Sequence, residues 1–402
     1  MPSAPPPPAA PDTQDVEHAR RHERARSTEL PGQLVDEQRG RIFPCPSCGA
    51  DLVYHIGKQS MTCGFCGHVE TITLEPDAEI EERDLIRTLE RLKDQHEDGD
   101  AAQPGDMEIR CDSCGGTVLF TGTLSSLSCP YCASPLQRED VHQADRRLGV
   151  DGILALTVTE KTAHGNIGGW VKGRWFAPNR FLREGVSGEI HAVYLPFWTF
   201  DAMTFNVYRG QRGDNYMVTV GSGKNRRTEV RTRWSPASGR FQRFFDDVVV
   251  LATRGLPRQL IQELEPWPFA ELQPFNSQFT AGHYARTYDT PLDDGFADAR
   301  LRIEAAVERE VRQRIGGDKQ RISRLNTEYD AMTFKHLLLP VWIFAYRYND
   351  KPFRVFVNGA TGEVQGERPY SWVKILLAVL LALAVAGTFA FFQQSGGSVR
   401  LG

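Results

Sequence analysis

Cys45-Pro46-Ser47-Cys48-Gly49, followed by Cys63-Gly64-Phe65-Cys66-Gly67, is one half of a pattern that uses all eight cysteines of the chain. The other half reads Cys111-Asp112-Ser113-Cys114-Gly115 and Cys129-Pro130-Tyr131-Cys132-Ala133. In each set 14 residues (49 to 62, and 115 to 128) separate the inner cysteines. Zn²⁺ takes four thiolates in a tetrahedron, and a two-residue gap lets one tight turn offer two sulfurs to one ion. Each pair is therefore half a site, and the intervening residues suit a short hairpin that brings the second knuckle back to the first. The spacing predicts two zinc ribbons and two zinc ions per chain. The ligands are Cys45, Cys48, Cys63 and Cys66 in one, and Cys111, Cys114, Cys129 and Cys132 in the other.

The sets also match outside the cysteines, as an internal repeat does. Leu52, Val53 and Tyr54 correspond to Val118, Leu119 and Phe120, Ser60 to Ser126, and Phe65 to Tyr131. Glycines after Cys48, Cys66 and Cys114 suit a knuckle that turns with positive φ. Disulfides would need an oxidising compartment, and no signal peptide directs the chain to one. A redox pair would be a single Cys-x-x-Cys near a βαβ unit, and an iron–sulfur cluster is the remaining use of four thiolates. The regular spacing favours zinc. His55 and His68 lie inside the first ribbon and read as surface residues, since four cysteines already fill a site.

Residues 375–392 carry no charge and are rich in leucine and alanine. At about 1.5 Å per residue such a helix spans most of a bilayer's hydrocarbon core. Tyr370 and Trp372 stand where interfacial aromatics sit, and Lys374 can snorkel. The reading is a single-pass anchor with the N-terminal domains in the cytoplasm, because reduced, zinc-loaded thiolates belong there.

The remaining chain, 402 residues with 41% hydrophobic and 24% charged, is ample for a core beside the ribbons. Fold class is α+β. The expected order is a disordered, proline-rich segment (1–40), ribbon 1 (41–74), an acidic helical linker (75–106), ribbon 2 (107–140), an α+β domain (141–369), the anchor (370–394) and a tail (395–402). Within the domain, 152–159, 190–209, 216–220, 228–234 and 244–252 read as strands, and 160–172 and 296–315 as helices. In the second helix Ala297, Leu301, Ala305 and the run Val307 to Val311 mark the expected apolar stripe. Leu195-Pro196-Phe197-Trp198-Thr199-Phe200 and Leu339-Pro340-Val341-Trp342-Ile343-Phe344 share a motif that signals two similar halves. Their prolines, lacking an N–H, are expected at the start or edge of each strand.

These residues resemble a family. The ribbons, Trp175-Phe176-Ala177-Pro178, the two Leu-Pro-x-Trp-x-Phe motifs and Val357-Asn358-Gly359 with Thr361-Gly362 are similar to bacterial zinc-ribbon membrane proteins labelled primosomal protein N′ (replication factor Y), superfamily II helicase. The resemblance implies a zinc protein of the bacterial cytoplasmic membrane. The helicase label implies a nucleotide loop, and Gly221-Ser222-Gly223-Lys224 fails as one: Val218 stands at the first glycine position and Asn225 at the hydroxyl position. No other catalytic signature is present in the sequence. Asp246 and Asp247, as neighbours in a strand, should point to opposite faces.

Partners follow from charge. Net charge is −4 and neither ribbon is basic, so nucleic acid is possible but not favoured, and no nucleotide is expected. One basic stretch exists, residues 209–233, where Arg209, Arg212, Lys224, Arg226, Arg227, Arg231 and Arg233 outnumber Asp214 and Glu229. Beside an anchor its nearest partner is an anionic membrane surface. The functional expectation is a non-enzymatic adaptor or scaffold with protein partners at the membrane; the alternative is a tethered nucleic-acid-binding factor.

Overall fold

The structure, a computed structural model, describes residues 43–58, 60–74, 79–97, 107–110, 117–120, 141–143, 148–174, 190–223, 226–348, 351–368 and 370–395. The second set of cysteines, residues 1–40, residues 175–178 and Lys224 were singled out above and lie outside the described residues.

In chain order the elements are β1 (Leu52–His55), β2 (Ser60–Cys63), β3 (Val69–Thr71), β4 (Arg83–Asp84), α1 (Leu85–Glu97), β5 (Met107–Arg110), β6 (Thr117–Phe120), β7 (Val141–Gln143), β8 (Gly152–Ile153) and α2 (Glu160–Lys172). There follow β9 (Ile190–Val220), β10 (Arg227–Leu251), α3 (Arg258–Gln262), β11 (Gln273–Pro274), β12 (Tyr284–Ala285), α4 (Leu292–Ile315), β13 (Lys319–Tyr348), β14 (Lys351–Asn358), β15 (Val364–Gly366) and α5 (Trp372–Ser395). The chain is thus mixed α and β. Its centre is a β-rich sheet, and its C-terminal helix is the one described element long and apolar enough to cross a membrane.

The two longest strands, β9 and β13, run antiparallel side by side from Gly213↔Lys319 to Ile190↔Phe344. The expected strands 190–209 and 216–220 are one continuous strand, and 228–234 joins 244–252 in β10. Of 152–159 only Gly152 and Ile153 pair; the rest runs as a loop over Gly359.

The Leu-Pro-x-Trp-x-Phe motifs meet across this ladder near its Ile190 end, Leu195 opposite Leu339, Pro196 opposite Leu338 and Tyr194 opposite Pro340. The same bonds recur on either side of that point. Ala252 N donates to Pro196 O and Gly359 N to Pro340 O. Arg286 N donates to Tyr194 O, as Leu154 N does to Leu338 O. The Trp198 indole donates to Thr290 O (3.1 Å) and that of Trp342 to Val158 O (2.8 Å).

The prolines are not at strand starts or edges, as expected, but in mid-strand at the centre of the sheet. A residue's N–H and C=O face the same neighbour, so Pro196 N faces the flank where β12 ends and β10 begins. Pro340 N faces the equivalent junction between β8 and β14. No ladder bond is lost there.

Each half's helix covers the other half's tryptophan. β8, which leads into α2, pairs in parallel with β13; β12, which leads into α4, pairs in parallel with β9. Ala163, Ile167 and Val171 of α2 are buried with Trp342, while Leu292 and Ala299 of α4 are buried with Trp198. The buried stripe of α4 is Leu292, Gly295, Ala299, Ile303, Val307, Val311 and Ile315. Val307 and Val311 of the expected stripe are buried in it, while Ala297, Leu301 and Ala305 lie outside it, and Leu301 is 65% exposed. Small residues at 295 and 299 admit the Trp198 ring, and Ile303, Val307, Val311 and Ile315 continue the same face at four-residue spacing.

Candidate metal centre and a buried charge cluster

In ribbon 1 the strands β1, β2 and β3 form an antiparallel sheet with Leu52 opposite Cys63. Both knuckles close with the same bonds. Gly49 N donates to Cys45 O (2.8 Å) and Cys45 N to Ala50 O (2.7 Å); Gly67 N donates to Cys63 O (3.0 Å) and Cys63 N to His68 O (2.8 Å). Gly49 and Gly67 hold φ of 72° and 75°, the conformation for which glycine is suited.

The four sulfurs lie within 4.8 Å of one another, with Cys45 to Cys66 and Cys48 to Cys63 both at 3.5 Å. A tetrahedron with metal–sulfur bonds of about 2.3 Å has sulfur–sulfur edges near 3.8 Å, so the group fits one zinc ion. Backbone N–H groups of Cys66 and Phe65 pull the Cys63 thiol down to about 6. His68 N–H favours the Cys66 thiolate too, but the sulfur of Cys48, burial and the sulfurs of Cys45 and Cys63 push Cys66 up to about 12. Crowded thiols resist ionising together, and a bound dication removes that resistance. His55 Nδ1 contacts Ile56 O, and His68 Nδ1 contacts the Ser47 hydroxyl, so neither adds to the sulfur group.

The ribbon is docked on the domain. Tyr54 N donates to Ala281 O (3.0 Å), and its ring packs on Phe279 and His283. Burial pushes the Tyr54 phenol up to about 12 and His283 down to about 4, so both are neutral at neutral pH. β6, from the second repeat, pairs Leu119 with Ala285. Both repeats therefore border the segment 276–285.

A second group of chemical side chains was not expected. A β-bulge between Phe245 and Val248, with Asp247 at φ 49°, overturns the reading that Asp246 and Asp247 face opposite sides. Carboxylate oxygens of Asp201, Asp246 and Asp247 come within 4.8 Å of one another. Lys335 sits among them, its Nζ 2.9 Å from Asp247, 3.2 Å from Glu82 and 3.4 Å from Asp201. Asp247 N and the Thr333 hydroxyl donate to Asp201 at 2.6 and 3.2 Å. Burial alone would lower the Lys335 pKa, but Asp247, Asp201 and Glu82 outweigh it and hold the ammonium above its ordinary value. Burial, with Asp247 and Asp201, raises Asp246. The Lys335 ammonium thus lies against two of the three carboxylates, those of Asp201 and Asp247.

This cluster also clips the linker to the domain. β4 pairs with Thr333 and Phe334 of β13, Glu82 reaches Lys335, and Arg83 pairs with Asp151, whose carboxylate accepts from His336 N at 2.8 Å. From the linker, Leu85 is buried against Trp198 and Phe200.

The described members of the expected basic set, all but Lys224, fall on the hairpin of β9 and β10. Arg212 pairs with Asp214, Arg227 and Arg231 with Glu229, and Arg233 lies over the Tyr216 ring, so part of the charge is neutralised locally.

No known protein family and no solved structure matches the chain. It is similar to the uncharacterized protein YdjG of Bacillus subtilis (strain 168), 24% identical over an alignment of 361 residues that covers 86% of this chain and 95% of that protein.

Proposed function

We propose that the chain is a zinc protein of a bacterial cytoplasmic membrane, with its ribbons and sheet domain on the cytoplasmic side, acting as a non-enzymatic adaptor or scaffold. The observation that carries this is the sulfur group of Cys45, Cys48, Cys63 and Cys66, together with the apolar α5, of mean hydropathy 2.4. Thiolate zinc sites persist in a reducing compartment, which puts the sheet domain on the cytoplasmic side of the anchor. The repeat in the sequence extends the zinc reading to Cys111, Cys114, Cys129 and Cys132. Ribbons with little net charge suit protein contacts better than phosphate tracking. The strongest acidic cluster already holds an internal cation, which speaks against a catalytic metal there.

Elemental analysis of the purified chain should give two zinc ions; less than one, or cysteines found as disulfides, would overturn the zinc reading. Crosslinking in membranes should capture protein partners that Cys63→Ser loses. DNA-stimulated ATP hydrolysis by the purified chain would refute a non-enzymatic role.

A further inference from the structure

The arm formed by β9, β10 and the start of β13 has one face packed on α4, through Tyr208, Phe241, Ile303, Val307 and Ile315. Strand parity assigns the exposed apolar side chains of the arm to the other face. Phe205, Val207 and Met217 are odd-numbered on β9, and Phe244 and Val230 are even-numbered on β10, with Met217 paired to Val230 and Phe244 to Met203. Met217 is 77% and Val230 62% exposed.

Guanidiniums stand between them. Arg240 is opposite Val207, Arg324 is opposite Arg209, and Arg321 covers the Trp234 ring at 4.0 Å on the same face. None of these four arginines is paired with a carboxylate among the described residues, unlike Arg212, Arg227 and Arg231 of the same hairpin. Among the described residues the acidic side chains of the face, Glu328 and Asp330 with Asp201 and Asp246 beyond them, all lie toward its inner end.

We infer that this face lies on the anionic surface of the same bilayer that holds α5, its apolar side chains entering the headgroup region and its arginines meeting lipid phosphate. The inference rests on the proposed anchoring. Apolar side chains ringed by unpaired arginines match a surface that is apolar below and anionic above. The anchor also fits. It follows β15, which is joined through β14 to the last residues of β13, whereas the arm begins at the opposite end of β13. At about 3.3 Å per residue the sheet is long, and an arm lying flat from an anchored end keeps the whole face within reach of headgroups. This set shares Arg209 with the basic stretch 209–233 and adds Arg240, Arg321 and Arg324.

The test uses the full chain reconstituted in vesicles of phosphatidylcholine with or without phosphatidylserine. A photo-crosslinking amino acid is placed at position 207, 230 or 301, the last being exposed on α4. Lipid adducts are expected from 207 and 230 and not from 301. They should be stronger with phosphatidylserine, and should weaken severalfold at high salt and in the Arg240→Glu, Arg324→Glu variant. No lipid adduct at 207 and 230, equal adducts at all three positions, or adducts to a protein or nucleic acid in cells would overturn it. Alkaline extraction of the same vesicles separates the two readings: chain that resists extraction without adducts refutes this inference alone, while extractable chain refutes the anchor.

Discussion

At the scale of single residues, Lys335 is the side chain whose loss should be felt most. It is 7% exposed and Asp201 2%, so removing the ammonium strands carboxylates where water reaches poorly. Breaking such a pair from one side typically costs about 3–5 kcal/mol. Lys335→Met should therefore lower the chemical-denaturation midpoint of the detergent-solubilised chain, and adding Asp201→Asn should recover part of the loss; a neutral Lys335→Met would refute the role. The pH dependence follows from the raised folded-state pKa. Stability from this ammonium is complete below the ordinary lysine value of 10.5 and is lost as pH rises through the higher folded value, so Lys335→Met should flatten the alkaline limb of the stability profile. None of this was legible in the sequence, because the bulge at Asp247 and partners as distant as Glu82 and Asp201 are set by the assembled sheet. The knuckles were legible because a Cys-x-x-Cys-Gly turn is defined within five residues, and Gly49 and Gly67 adopt the expected positive φ.

At the scale of elements, α2 runs as predicted over Glu160–Lys172, since Thr159 caps it by accepting from Thr162 N and the apolar spacing is local. The C-terminal part of α4's buried face was legible at Val307 and Val311, but its first turns were not, because Gly295 and Ala299 face an indole contributed by another strand. A Cβ on Gly295 would stand 2.6 Å from Trp198 Cδ1, whereas the matching position on α2 is Ala163, which is buried with Trp342. Helix propensity alone favours Gly295→Ala by about 1 kcal/mol. Overpacking a filled core costs about 1–3 kcal/mol and should prevail, so the variant is expected to be less stable, with Trp198 fluorescence altered. A stabilised Gly295→Ala would show that the ring has room to move. The mid-strand prolines teach the same lesson. The rule that proline avoids ladders holds, but the sequence did not show that a central strand can change partners at that residue.

At the scale of the whole molecule, the two halves exchange elements, so neither can bury its own tryptophan. A chain cut between Glu271 and Leu272 should yield two fragments that are insoluble when made alone and form a complex when co-expressed, with Trp198 and Trp342 again covered by α4 and α2. A soluble, folded 1–271 fragment by itself would contradict the exchange. Folding and the proposed anchoring, in contrast, are assigned to separate segments. β15 ends at Gly366, and Glu367 completes the sheet by donating to Arg354 O (2.8 Å) and accepting from Arg354 N (3.0 Å). Helix α5 follows with its apolar span unburied by the rest of the chain. A chain ending at Tyr370 should keep every sheet bond and the sulfur group while losing the only described segment that can cross a bilayer. It is expected in the soluble fraction with its zinc content unchanged. On anionic vesicles at low salt a portion should remain bound through the arginine-bearing face of the arm and leave as salt is raised. A truncated chain that still resists alkaline extraction, or one that loses its zinc on losing α5, would show that the anchor and the folded domain are not separable.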